Sequence, residues 1–161
     1  MNVCVIKTSS MGDVIHTLPA LTDAQRAIPH LSIDWVVEEN FAEIPRWHSA
    51  VNQIIPISLR RWRKSPFSAQ TKNEWKSYRT LLQANQYDTV IDAQGLFKSA
   101  FFATRLANGV KHGYDRKSIR EPIASLFYDK KYDISYQQHA VERIRQLFAQ
   151  ALSYPLPKAK G

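Results

Sequence analysis

Short apolar runs recur along the chain at residues 3–6, 33–37, 53–57, 89–92 and 110–113, each bounded by polar or turn-forming residues. Runs of this length read as strands, each separated from the next by enough chain for a crossover helix in most cases. Between them the apolar pattern lengthens to a helical period. Stretches 14–27, 72–84, 98–107 and 138–152 space apolar side chains three and four residues apart, as where Leu81 and Leu82 follow Trp75 and Tyr78 by about one turn. Strand and helix therefore alternate, which predicts a single α/β domain with a mostly parallel, doubly wound sheet covered by helices on both faces. Ligands of such sheets gather beyond the carboxyl ends of the strands, so chemistry is expected in the turns after the first, third, fourth and fifth runs.

The first of these turns is the most informative. Residues 7–20 read KTSSMGDVIHTLPA: a strand end, a short Ser/Gly loop and a helix start, with Asp13 at the junction. A glycine-containing turn of this kind normally offers backbone N–H groups and a positive helix end to a phosphate. A carboxylate in that place repels phosphate, whereas the helix end favours the ionised carboxylate, which suits a group that accepts a proton from an incoming hydroxyl. Asp is equally a common N-cap for a helix over 14–27, and spacing alone leaves both roles open. Ser9 and Ser10 are ambiguous in the same way. Gly12, directly before the helix, permits either a positive φ or the close approach of a ligand.

Composition narrows the setting. At 161 residues the chain is long enough for one well-buried domain, and its formal charge of +8 implies an anionic partner: nucleic acid, a phosphorylated substrate or an acidic membrane surface. Cys4, the single cysteine, lies in the first apolar run, so neither an intramolecular disulfide nor a cysteine-cluster zinc site is available and a buried thiol is expected. No apolar run approaches the roughly 18 residues of a membrane span and no secretory signal opens the chain, so a cytoplasmic setting is expected. Metal-binding and phosphate-loop signatures such as HExxH and GxxxxGK[ST] do not occur, so neither a metal nor a cofactor is expected.

The other turns carry charge. Arg60, Arg61, Arg63 and Lys64 surround Trp62, with Pro66 close behind. That run reads either as a solvated basic loop or as a grip on phosphates in which Trp62 touches acyl chains or a sugar face. After the fourth run comes DAQGLFKS, where Gln94 can orient a hydroxyl, Lys98 can face an anion, Gly95 turns the chain and Asp92 can cap the next element. Lys111, His112, Arg116, Lys117 and Arg120 form a further positive stretch, closed by Glu121 and Pro122 at a helix start. Arg120 pairs with Glu121, with an upstream acid or with a ligand. His139 and Arg143 share one face of the last helix, a pairing more often structural than catalytic, and His16 and His48 have no partner discernible from sequence. Residues 153–161, SYPLPKAKG, shift abruptly to proline and lysine and read as a linker.

Taken together, KTSSMGDVIHTLPAL, RRWRK, IDAQGLFKSA, KHGYDRKSIREP and QQHAVERIRQLF resemble the N-terminal half of the ADP-heptose:lipopolysaccharide heptosyltransferases, a GT-B family of two Rossmann-like domains, over essentially the whole chain in unbroken order. The resemblance implies that residues 1–152 are the Rossmann-like acceptor-binding domain and 153–161 the interdomain linker, the C-terminal donor domain lying outside this sequence. It implies inverting transfer of L-glycero-D-manno-heptose from ADP-heptose to the 3-deoxy-octulosonate (Kdo) of Kdo-lipid A, in building the lipopolysaccharide inner core. By the same likeness ADP-heptose is a substrate held mainly by the other half. The enzyme then works on the cytoplasmic face of the inner membrane with peripheral contact to anionic lipid, and this half alone is inactive. Asp13 matches the family's catalytic base, and Arg60, Arg61, Arg63, Lys64 and Arg120 match basic positions that meet acceptor phosphates and carboxylates. Ser10, Gly12, Gln94 and Lys98, on the same strand-end turns, complete the expected acceptor site.

Two other readings stay in view. A dinucleotide oxidoreductase domain could use Glu38 or Glu39 as its ribose acid, but the GxGxxG turn is missing and Asp13 is in the way. A non-catalytic basic module for nucleic acid or acidic membrane would bind with affinity set by salt and indifferent to the acceptor sugar; nucleic acid is not the expected partner.

Overall fold

The computed structural model describes residues 1–157. Six parallel strands, β1 (Asn2–Ile6), β2 (Ser32–Glu38), β3 (Val51–Ile57), β4 (Gln86–Asp92), β5 (Asn108–Tyr114) and β6 (Lys130–Tyr132), form one sheet in the order β3-β2-β1-β4-β5-β6. This is the expected doubly wound α/β plan, with its switch point between the carboxyl ends of β1 and β4. Strand alternation divides the core. Val3, Val5, Trp35 and Ile91 face one layer, and Cys4, Ile6, Val36, Ile55 and Val90 face the other. The first layer is closed by α2 (Leu18–Ala27) and α6 (Ala140–Leu152), the second by α3 (Leu59–Lys64), α4 (Ala69–Gln83) and the chain around Phe102 and Leu106. Cys4 is a buried free thiol, pushed up by that burial. A buried ion pair, Arg145 to Asp23 at 2.6 Å, fastens α6 to α2.

Four departures from the sequence pattern bear on the site. The helix expected over 14–27 is two helices, α1 (Met11–Ile15) and α2, because Pro19 has no N–H to continue the ladder and its ring excludes the carbonyl four residues back. Helix α1 therefore starts earlier: Ser10 is its N-cap and Asp13 lies within its first turn instead of capping a helix at Val14. The basic run at 60–64 is not a loop but α3, because Trp62 is only 7% exposed and packs against Trp75 and Tyr78. The helix expected over 98–107 is a short turn, α5 (Phe97–Ser99), followed by a π-helical turn at Ala100–Thr104, in which the Arg105 N–H reaches the Ala100 carbonyl at 2.8 Å. Strand β6 was not anticipated: KKY has almost no apolar signal, and parallel pairing with β5 creates it.

Other sequence features fall as expected. Glu121 and Pro122 open a helical turn, the 3-10 segment Pro122–Phe127, and α6 ends at Leu152 with Ser153 left-handed at φ 61°. Residues 158–161 of the expected linker lie outside the described residues.

Candidate active site

Backbone ties at the switch point build the site. The loop leaving β1 is stitched to β2 by Lys7 N–H to Val36 O and Glu38 N–H to Thr8 O, and the indole of Trp35 donates to Lys7 O at 2.9 Å. It is stitched to β4 by Gln94, whose Oε1 accepts the N–H groups of Thr8 (3.1 Å) and Ser9 (3.3 Å). Gln94 was expected to orient a substrate hydroxyl; its carbonyl oxygen instead braces the Asp13 loop.

The β4 turn is held by Asp92, which is fully buried. Its Oδ1 accepts from Gln94 N (2.9 Å) and Gly95 N (3.0 Å), and its Oδ2 from Thr104 Oγ1 (2.9 Å) and Tyr128 Oη (2.6 Å). Burial pushes this carboxyl above the usual range, and the four donors oppose that shift. Gly95 sits at φ +72°, where a side chain would be strained and its Cβ would lie 3.1 Å from Ile119. Gly12, in contrast, is helical with no positive φ; an added Cβ there meets nothing within 4 Å, so its face of the turn is open.

Asp13 is half-buried. Its Oδ2 accepts from Ser10 N–H at 3.2 Å and Ser10 Oγ at 3.3 Å, while Oδ1 has no hydrogen bond among the described residues. One carboxylate thus serves both readings: one oxygen holds the first turn of α1, and the other is free to take a proton.

At the same carboxyl edge of the sheet lies a cleft of about 660 Å³, bounded by Glu38 at the end of β2, by α3 and α4, and by Lys98. Leu59, Trp62, Trp75 and Phe102 give it an apolar wall, and Arg60, Arg63, Lys72 and Lys98 a cationic rim. Three of the expected acceptor residues, Arg60, Arg63 and Lys98, therefore converge. Arg61 points elsewhere: it pairs with Glu39 at 3.0 Å and Glu74 at 2.6 Å. The Arg61 guanidinium, with Trp62 and Gln70 also donating, holds Glu74 down to about 2. Lys64 is exposed and does not line the cleft. Trp62 is largely buried, its indole N–H donating to Glu74 at 2.8 Å, so the expected free tryptophan contact reduces to one edge in the cleft wall.

Arg120 is exposed in the turn after β5, and Glu121 does not pair with it, since its carboxylate accepts the Phe97 N–H at 2.7 Å. His48 has partners, Ala50 N–H and the Thr22 hydroxyl, and the His16 ring meets that of His139 edge-on at 5.6 Å. His139 caps α6 through Val141 N–H. Sequence reasoning passed over Lys7 and used Glu38 only for ribose. Both close apolar strands at the ligand edge, and Lys7 is just 8% exposed with its Nζ on Ala93 O at 3.0 Å. A lysine ending a buried strand was the available signal. No helix among the described residues is long and apolar enough to cross a membrane.

Comparison with known proteins accords with this geometry. The family description "Glycosyltransferase family 9 (heptosyltransferase)" matches residues 75–161. Lipopolysaccharide heptosyltransferase 1 of Escherichia coli K12 is 63% identical over 161 residues, covering all of this chain and 50% of that protein; the Pseudomonas aeruginosa protein of the same name is 56% identical, with 45% of its length covered. The solved structure of E. coli heptosyltransferase WaaC with ADP superposes with a TM-score of 0.99 at 63% identity, over the whole chain and 50% of that one. E. coli ADP-heptose lps heptosyltransferase II shares the fold alone, at a TM-score of 0.70 and 20% identity. The chain spans about half the length of the curated relatives it matches. It belongs to glycosyltransferase family 9, the heptosyltransferases.

Proposed function

We propose that this chain is the acceptor-binding half of an inverting heptosyltransferase that passes L-glycero-D-manno-heptose from ADP-heptose to Kdo of Kdo-lipid A. Residues 1–152 are the acceptor domain and 153–161 lead to a donor half. The observation that carries this reading is Asp13, fixed at the switch point with one carboxylate oxygen unengaged among the described residues, on the same edge of the sheet as a cleft rimmed by Arg60, Arg63 and Lys98. Asp13 withdraws the acceptor hydroxyl proton as that oxygen bonds to the anomeric carbon; the carbon–oxygen bond to the diphosphate breaks on the opposite face and ADP leaves with the electron pair. The cationic rim holds acceptor phosphates and carboxylates, and the indole and phenyl wall covers apolar parts of the glycolipid. ADP-heptose as donor is supported by the E. coli relative, which was solved with ADP and with ADP-2-deoxy-2-fluoro heptose. The excess positive charge suits work at an anionic cytoplasmic membrane face.

The dinucleotide reading fits less well. Glu39 is paired with Arg61, and the turn that would cradle a diphosphate carries Asp13. The test is a two-domain enzyme in which this half is joined to a donor half, given ADP-heptose and either Kdo-lipid A or lipid A without Kdo. ADP release and heptosylated lipid are expected with the first acceptor alone. Equal transfer to both, or none to Kdo-lipid A, overturns the reading.

A further inference from the structure

We propose a second anion site on the β5 side of Asp13, built by Arg143 of α6 with Arg120 and Lys7. It takes one oxyanion of the substrates: a carboxylate of the acceptor's acidic sugar or the diphosphate of the donor. This rests on the function proposed above.

Arg143 is held as a ligand-binding guanidinium is held. Its charge lies over the Tyr114 ring at 4.6 Å and the Tyr136 ring at 4.2 Å, so two aromatic faces fix its plane. One of its five donors is spent on the Ser118 carbonyl, and its Nε is buried without a hydrogen-bond partner among the described residues. Neither Arg143 nor Arg120 forms an ion pair among the described residues. A partly desolvated guanidinium without a counter-charge is unfavourable, and a bound oxyanion removes that penalty.

Contacts around the β4 turn bring these charges together: Lys7 Nζ donates to Ala93 O, the N–H of Glu121, next to Arg120, donates to Gly95 O, and Arg143 donates to Ser118 O, two residues before Arg120. Burial lowers the Lys7 ammonium below the usual lysine range; Asp13 and Asp92 act against that shift, and Arg143 and Arg120 add to it. Three cations and two carboxylates therefore interact around one strand end. Asp92 is already engaged by four donors, so its charge is spoken for within the β4 turn. Positive charge is left in excess around Asp13, and an oxyanion neutralises it, the Arg fork matching carboxylate or phosphate geometry.

Topology separates this site from the α3 cleft. The cleft lies over the ends of β2 and β3 and is closed by Lys98 and Phe102 after β4, on the layer covered by α3 and α4, whereas Tyr114 ends β5 and Arg143 belongs to α6, which covers the other layer. Asp13 follows β1, so the two cationic sites flank it, and a multiply charged substrate gripped at both holds its reacting atoms against the base.

The same two-domain enzyme tests the proposal through Arg143→Met, Arg143→Lys and Arg120→Met, with KM for Kdo-lipid A and for ADP-heptose and kcat read separately. Arg143→Met is expected to raise one KM by about 10-fold or more, with Arg143→Lys recovering part of the loss because charge returns without the fork. A rise for Kdo-lipid A assigns the site to the acceptor carboxylate, and a rise for ADP-heptose assigns it to the diphosphate. If Arg143→Met lowers the melting temperature, Arg120→Met, at an exposed residue, carries the same comparison. Both KM values within about 2-fold of wild type in a stably folded variant overturn the site. A wild-type enzyme that transfers no heptose overturns the proposed function itself, a different result from an active wild type with unaffected variants.

Discussion

At the scale of single residues, the proposed chemistry turns on Asp13. It was readable as an N-cap or a base, and it stands one turn into α1 with only Oδ2 engaged by Ser10. Asp13→Asn keeps an oxygen for Ser10 and removes the proton acceptor. In the two-domain enzyme kcat should fall by about 100-fold or more, while the melting temperature and both KM values stay near wild type. Near-normal turnover would return Asp13 to a purely capping role. His112 allows a separate check of packing. Burial lowers its folded pKa, with Lys130 adding to the shift, below the ordinary value near 6.5 that it keeps when unfolded. The contribution of the neutral ring is therefore complete above about pH 6.5 and is lost as pH falls through the lowered folded value. The melting temperature of the chain should drop on acidification across that window, and His112→Gln should flatten the curve; an equally steep curve would place the titrating group elsewhere.

At the scale of elements, α3 sorts its charges by which way each side chain turns. A six-residue helix is too short to be stable by propensity, and Trp62 holds it by packing against Trp75 and Tyr78. Trp62→Ala should cost about 3–5 kcal/mol, read as an earlier thermal unfolding of the chain. With that anchor in place Arg60 and Arg63 face the cleft and Arg61 faces Glu39 and Glu74. Replacing Arg60 and Arg63 together by Ala should raise the acceptor KM on the order of 10-fold and weaken its salt dependence, while Arg61→Ala should leave that KM close to wild type. The RRWRK motif announced cations at a strand end. Which of them line the cleft was not legible, because a loop and a helix aim consecutive residues differently.

At the scale of the whole molecule, the sheet order brings charged residues to one edge. Cations line the α3 cleft, and Lys7 and Arg143 are held at the strand-end turns by Ala93 O and Ser118 O, on the edge of the sheet where doubly wound domains meet ligands. Under the proposed function, a base and an acceptor grip without a donor grip cannot align the reacting atoms. The purified chain should therefore give no measurable heptosyl transfer from ADP-heptose, and addition of the donor half in the same polypeptide should create it. Robust turnover by the chain alone would show that it holds the donor as well.

The sequence by itself determined the layer plan and the address of the chemistry. Strand-length apolar runs alternate with stretches of helical spacing that supply their cover, and the turns at the strand ends carried Asp13, Gln94 and Lys98 at fixed distances from those runs. Tertiary structure decided everything that depends on partners far apart in the chain. It broke the first helix at Pro19, paired the nearly signal-free β6 with β5, turned Gln94 into a brace for Thr8 and Ser9, and tied Lys7 to Ala93 and Arg143 to Ser118 at the strand-end turns. The physical reason is that local periodicity reports which face of an element is buried. The direction and charge environment of a polar side chain are set by the groups the fold brings beside it.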